Sequence, residues 1–168
     1  FGAINALLGT DIAWFQNPNF ARTAVILVNL WLGFPYFYLV ASGALQAIPN
    51  ELLEAAAIDG ANPRQIFRKI TMPLLLQILS PLLIASFAFN FNNFNLIYLL
   101  TGGGPRNSLD GEIAGATDIL ISYTYQIAFG SSTQDLGLAS AISLIIFILV
   151  ASISLYGIRK SKVLESFV

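Results

Sequence analysis

Residues 86–95 read Ser-Phe-Ala-Phe-Asn-Phe-Asn-Asn-Phe-Asn and lie inside a stretch, 70–105, that has no charged residue. An Asn amide both donates and accepts hydrogen bonds, as a sugar hydroxyl does, and carries no charge. Four such amides in an apolar surrounding each need a partner or water. On a helix at 100° per residue, Ser86, Phe89, Asn90, Asn93 and Ile97 share one face, and Asn92 and Asn95 point elsewhere. That face suits an uncharged, hydroxylated ligand, with Phe89 stacking on the apolar side of a pyranose ring. It suits equally well hydrogen bonding between neighbouring membrane helices. A second candidate face holds Asn29, Leu32, Gly33 and Tyr36, spaced i, i+3, i+4 and i+7. Gly33 permits a close approach and Pro35 loosens the helix. Ordinary small-residue packing beside a kink is the alternative there.

Other chemistry is closed to this chain. It has no His and no Cys, which excludes His general bases, His proton relays, thiolate nucleophiles, disulfides and metal sites built on those ligands. No catalytic residue and no metal ligand is assigned. A net charge of −1 gives no basic surface for nucleic acid. The phosphate-binding pattern G-x-x-x-x-G-K-[ST] is absent, since none of Lys69, Lys160 and Lys162 follows a Gly. ATP hydrolysis through that motif therefore has to come from elsewhere.

The elements that position these residues are membrane helices. The chain is 56% hydrophobic and 10% charged, with mean hydropathy +0.72, against roughly 25% charged in soluble domains. Charge-free runs at 23–50, 70–105 and 136–158 each hold one span of about 20 apolar residues. The spans are placed at 23–45, 74–100 and 137–157. The middle run, about 54 Å as a straight helix at 1.5 Å per residue, is trimmed and kinked by Pro73, Pro81 and the glycines at 102–104.

Arg64, Arg68 and Lys69 between spans one and two, and Arg159, Lys160 and Lys162 after span three, fall on one side of the membrane. Basic residues mark the cytoplasm. Segment 46–73 is then a cytoplasmic loop and 158–168 a cytoplasmic tail. The other side receives 1–22, with Trp14 as a headgroup anchor, and the loop 101–136 with Asp110, Glu112, Asp118 and Asp135. Span three, rich in Gly, Ala and Ser, reads as structural. The start at Phe1, with no Met or signal-like segment, reads as the C-terminal part of a longer protein.

The cytoplasmic loop is expected to hold two short helices. Asn50 caps the first, over 51–59, with Glu51 and Glu54 near its positive end. Gly60 takes the left-handed position after it. Asn62-Pro63 starts the second helix, which carries Arg64, Arg68 and Lys69 beside Ile66, Phe67 and Ile70. Thr71-Met72-Pro73 ends it. An amphipathic linker lying on headgroups accounts for the same pattern, so both a docking surface and a linker remain open on the residues alone.

The loop's spacing resembles the EAA motif of ABC-importer permease subunits. Glu54-Ala55-Ala56, Gly60, Ile70 and Pro73 match the motif, and Met72 stands where Leu is usual. The runs NLWLGFPY at 29–36, SFAFNFNNF at 86–94, TGGGP at 101–105, YTYQIAF at 123–129 and QDLGLASAI at 134–142 resemble the larger permease subunit of maltose/maltodextrin-type importers. The likeness covers nearly the whole chain. It implies an all-α integral membrane fold, with three transmembrane helices of a type I importer core and a cytoplasmic coupling-helix pair. It implies sugar contacts at Asn29, Leu32, Gly33, Tyr36, Ser86, Phe89, Asn90 and Asn93.

It also implies ATPase coupling through Glu54, Ala55, Ala56, Asp59, Gly60, Arg64 and Phe67. The partners implied are a second permease subunit, two cytoplasmic ATPase subunits holding ATP and Mg, an external solute-binding protein and membrane lipid. No cofactor is expected on this chain, and the location implied is a prokaryotic plasma membrane, with the C-terminus cytoplasmic. A permease for another neutral oligosaccharide is the near alternative. An ion-coupled secondary transporter is more distant, because the three spans hold no Asp, Glu, Lys, Arg or His. A non-transporting scaffold would tolerate Asn90→Leu and Asn93→Leu.

Overall fold

A computed structural model describes residues 2–106, 114–130 and 134–160. Lys162, Asp110 and Glu112, used above for orientation, lie outside the described residues, as does most of the expected tail. The described residues form helices and turns without strands: α1 Ala3–Leu8, α2 Pro18–Gln46, α3 Asn50–Ile58, α4 Pro63–Ile66, α5 Met72–Phe91, α6 Phe94–Leu100, α7 Leu120–Tyr125 and α8 Leu136–Lys160. Wide i→i+5 turns at Phe67–Thr71 and Gln126–Gly130 follow α4 and α7 directly.

Three helical stretches, Pro18–Gln46, Pro63–Phe91 and Leu136–Lys160, are long and apolar enough to cross a membrane. Their large apolar side chains point outward rather than into a core. Trp31 is 80% exposed, and Leu30, Phe34, Leu39, Phe147 and Ile148 are exposed with it. Such surface is what a helix shows to lipid or to a neighbouring membrane protein.

The chain divides into two compact units. The first comprises the described residues up to Leu32 together with Phe91–Leu149. Three of its helices, α2, α6 and α8, start on a polar cap. Asn17 Oδ1 accepts from the Asn19 amide at 2.9 Å ahead of α2, Asn93 Oδ1 from the Leu96 amide at 3.3 Å ahead of α6, and Asp135 Oδ1 from the Leu138 amide at 2.8 Å ahead of α8. These caps satisfy amides that no helical carbonyl reaches. Ile127 and Ala128 pack on Ala139, with Tyr123 and Ile142 against them. The Trp14 indole N–H donates at 2.8 Å to Oδ1 of the buried Asn5, whose own amide donates to the Ile12 carbonyl at 2.8 Å.

The second unit comprises Gly33–Asn90 together with the described residues from Val150 onward. Within it Gly157 of α8 lies close to α5: an added Cβ would stand 3.1 Å from Ile84. Pro81 lies inside α5 without ending it. A proline there leaves the carbonyl four residues earlier without its amide donor. That carbonyl belongs to Gln77, and the Ser80 hydroxyl donates to it at 3.1 Å.

Three expectations need correction. The helix placed over 74–100 is broken: α5 ends at Phe91, Asn92 and Asn93 are non-helical, and α6 begins at Phe94. Asn side chains favour caps over helix interiors because they bond to nearby backbone, and an apolar-run count does not register that. Pro73 does not end the loop helix; α4, the wide turn and α5 run on without interruption. Pro73 has no N–H to give, and the wide turn, in which the Met72 amide donates to the Phe67 carbonyl, carries the backbone past it. Asn50 is the first residue of α3 rather than its cap, a position held by Pro49 with no side-chain hydrogen bond.

Candidate functional site

The coupling-loop residues sit on a turn whose geometry follows from sequence. After α3 the chain closes in a Schellman arrangement: the Ala61 amide donates to the Ala56 carbonyl and the Gly60 amide to the Ala57 carbonyl, each at 3.0 Å. Gly60 has φ +81°, a conformation that costs a side-chain-bearing residue roughly 1–2 kcal/mol. Two residues on, Asn62 starts α4 with a full capping box. Its Oδ1 accepts from the Gln65 amide at 3.0 Å and its own amide donates to Gln65 Oε1 at 2.8 Å. Glu54, Ala55, Asp59 and Gly60 are exposed and Ala56 is half-buried, so the Glu-Ala-Ala side and the turn are open to a partner. Arg64 and Phe67, also exposed, line a cleft of about 600 Å³ with Arg68 and Met72.

The expected sugar-binding residues divide between the two units. Within α2, a continuous helix, Asn29, Leu32, Gly33 and Tyr36 fall on one face. Leu32 and Tyr36 are exposed, Asn29 and Gly33 half-buried. Within α5, Ser86, Phe89 and Asn90 share a face, and Phe89 is 69% exposed. Asn90 Nδ2 donates to the Ser86 carbonyl at 2.8 Å, so one donor of that amide is used locally and its Oδ1 remains an acceptor. Asn93 leaves this face. It caps α6 with φ −78° and ψ 68°, and its Oδ1 is occupied by the Leu96 amide. Its Nδ2 is the group left for a ligand.

Two features of the first unit were not legible beforehand. The loop after α6 is tied by the Asp118 carboxylate. That group accepts from the Gly115 amide at 2.7 Å, the Ser122 hydroxyl at 2.7 Å and Gln126 Nε2 at 2.9 Å to each oxygen. Arg106 donates to Gln126 Oε1 at 2.6 Å, and Arg22 at the start of α2 donates to the Ala116 carbonyl at 2.8 Å. Gly103, at φ +87°, lies under the Asp118 carboxylate; a Cβ there would collide with it. The TGGGP signal marked a turn, but the partner fifteen residues downstream left no local trace in the sequence.

The second feature is a groove of about 700 Å³ lined by residues of α6, α7, the wide turn after it and α8, among them Phe94, Tyr125, Phe129, Ala139, Ser140 and Ser143. Phe94 stacks on Tyr98 at 5.0 Å and contacts Tyr125 at 4.9 Å, and Tyr125 meets Phe129 at 5.2 Å. The aromatic pairs 94/98 and 125/129, each spaced i, i+4, were the available signal. The hydroxyls of Thr124, Ser140 and Ser143 donate to carbonyls of their own helices, which leaves the groove apolar.

A family profile described as "Binding-protein-dependent transport system inner membrane component" matches residues 2–161. The chain belongs to this family. Its members have the type I ABC permease fold, which agrees with the three spanning helices and the helix pair at α3 and α4. Among individual relatives, the maltose/maltodextrin transport system permease protein MalF of Vibrio parahaemolyticus is 55% identical over 98% of this chain and 32% of its own length. MalF of Salmonella typhimurium is 54% identical over 96% of this chain and 32% of its own length. The chain thus spans about a third of the length of these relatives. The family assignment makes this chain an inner membrane component of a binding-protein-dependent transport system.

Proposed function

We propose that this chain forms part of the translocation path of an ATP-driven importer for maltose and maltodextrins. The observation that carries the proposal is 55% identity to MalF over 98% of the chain, including both segments with amide-bearing faces. ATP and Mg are held by two cytoplasmic ATPase subunits, a second permease subunit completes the path, and an external solute-binding protein delivers the sugar. The C-terminus and the α3–α4 loop lie in the cytoplasm of a prokaryotic cell.

The coupling contact consists of Glu54, Ala55, Ala56, Asp59, Gly60, Arg64 and Phe67. Motion of a partner seated there reaches the sugar contacts through one rod. From Pro63 to Asn90 the backbone is helical without a break, about 40 Å at 1.5 Å per residue. Ser86, Phe89 and Asn90 stand at its far end. On the α2 side, Asn29, Leu32, Gly33 and Tyr36 supply one amide, one phenol and two positions that set shape. Nucleotide-driven closure of the partner shifts the permease between inward and outward states, and the sugar is released where the amides no longer converge on it. Residues 23–50, 70–90 and 136–158 hold no Asp, Glu, Lys, Arg or His, which favours coupling through a partner over coupling to an ion gradient.

Uptake of labelled maltodextrins by the reconstituted full complex tests the proposal. ATP-dependent accumulation that Glu54→Lys abolishes is the expected result. Indifference to every maltodextrin, with uptake of another neutral oligosaccharide, would overturn the substrate and leave the importer.

A further inference from the structure

We propose that Arg22 is a positioning residue for the sugar: it ties α2 to the loop that anchors α6 and so holds Asn29 and Asn93 at a fixed spacing. The inference rests on the reading of those two amides as sugar contacts, and adds a residue that touches no sugar. Arg22 Nε donates to the Ala116 carbonyl at 2.8 Å. Ala116 belongs to a loop closed on itself. Its amide donates to the Pro105 carbonyl at 2.9 Å, the Thr117 amide to the Gly103 carbonyl at 3.1 Å and the Thr117 hydroxyl to the Gly104 carbonyl at 2.6 Å. The hydroxyl of Thr117, a buried residue, also lies 2.7 Å from that of Thr101, which ends α6. A chain of hydrogen bonds thus runs from α2 to α6 inside one compact unit.

The Arg22 bond fixes where the following turns of α2 point. Ala21 and Ala24 are buried near the start of that helix, and no residue from Val25 to Leu32 is. Packing on α2 is therefore tightest at the end where Arg22 stands. Asn29 lies seven residues on, on the same face and about 10 Å along the axis. On the other arm, α6 runs from its cap Asn93 to Thr101, about the same length. Each amide stands about two turns from the brace. The helix itself gives no reason for an arginine here. Pro18 opens α2, so Arg22 lies in the second turn from its positive end, where a cation gains nothing from the dipole. Among the described residues no carboxylate lies within ion-pair distance of it. What the bond uses is reach and an N–H donor, and the charge strengthens it.

The test uses the complete importer complex in proteoliposomes with its external binding protein. Arg22→Met removes the donor and keeps an apolar stem. Maltodextrin moved per ATP hydrolysed should fall about tenfold, the scale of one hydrogen bond from a charged group, while ATP hydrolysis persists. Arg22→Lys, which keeps a cationic donor, should recover most of that ratio. Spin labels on cysteines placed at Leu27 and Leu99, both exposed, read the spacing of the two arms, and the chain has no Cys of its own to compete. With cysteine-free partner subunits, the distance distribution should be broad in R22M and narrow in the unaltered chain and in R22K. An unchanged ratio, an unchanged width, uptake and hydrolysis falling together, or an R22K no better than R22M each overturns the proposal. Asn29→Leu separates this inference from the reading beneath it. If that variant transports normally, the sugar site is misplaced and the inference goes with it; if it loses uptake while R22M does not, the inference alone falls. Should R22M fail to assemble, Thr117→Val, which removes the hydroxyl joining the loop to α6, is measured in the same two ways. It should uncouple and broaden, and a normal ratio or a normal width there overturns the proposal.

Discussion

Replacing Gly60 separates a backbone requirement from a contact requirement at the coupling loop. Gly60 holds φ +81°, and a Cβ built on it meets nothing within 4 Å. Within the chain, the cost of a side chain is therefore conformational rather than steric. For Gly60→Ala that cost is roughly 1–2 kcal/mol, or about a five- to thirty-fold loss in the population of the closed turn. Asn tolerates the left-handed region better than other residues, so Gly60→Asn should cost less than Gly60→Ala although its side chain is larger. Gly60→Val, with a branched Cβ, should cost most. The assay is sugar-stimulated ATP hydrolysis by the reconstituted complex, with co-purification of the ATPase subunits as a second readout. The order expected is Gly, then Asn, then Ala, then Val. If activity instead falls with side-chain volume, so that Ala outperforms Asn, the position matters because a partner packs on it. The turn would then not be the reason for glycine.

Asn93→Ser should preserve the cap on α6, since Ser caps as well as Asn, while removing the amide; lost maltodextrin uptake with an unchanged melting temperature would assign Nδ2 of Asn93 to the ligand, and unchanged uptake would leave Asn93 a cap alone. Asn90→Leu should abolish uptake while the complex still assembles, and normal uptake would support a scaffold rather than a path. Asp118→Ala strips the acceptor from the Gly115 amide, Ser122 and Gln126, and about 2–4 kcal/mol of local stability should go with it; hydrogen exchange at 115–126 should rise by at least tenfold, and no change would show the clasp to be dispensable. Ser80→Ala leaves the Gln77 carbonyl without the donor that Pro81 denies it, and should lower stability by about 1 kcal/mol, read as a shift in thermal unfolding of the purified complex.

The charge-free spans, the Gly60 turn and the Asn62 cap were legible in the sequence because each depends on residues a few positions apart. Absence of charge over 136–158 is enough to place α8, and Asn-Pro at 62–63 is enough to place the start of α4. What was not legible rests on distant partners or on competition between local rules. The break at Asn92–Asn93 sets helix continuation against the capping tendency of Asn, and composition alone does not decide it. Trp14 has the residue type of a headgroup anchor, yet Asn5 takes its indole N–H across nine positions. Arg22 bonds to Ala116 across ninety-four positions, and no periodicity reports such a pair. The amide face was half legible: Ser86 and Asn90 stay together on α5, and Asn93 leaves because the helix that would have held it ends two residues earlier.

The wide turn at Phe67–Thr71 also sets a phase. An i→i+5 turn holds an extra residue relative to an α-helical one, so a helical wheel drawn through 63–91 is out by about 100° on one side of it. Residues counted from Arg64 at the ordinary period land on the wrong face by the time the count reaches Ser86. Deleting one residue from 67–71 would restore an ordinary helix and turn Ser86, Phe89 and Asn90 away from their direction by about a quarter of a revolution, leaving every side chain of that face in place. The direction of that face is thus set partly by a register, which a cysteine scan across 63–91 should show as a single jump in accessibility period at the turn.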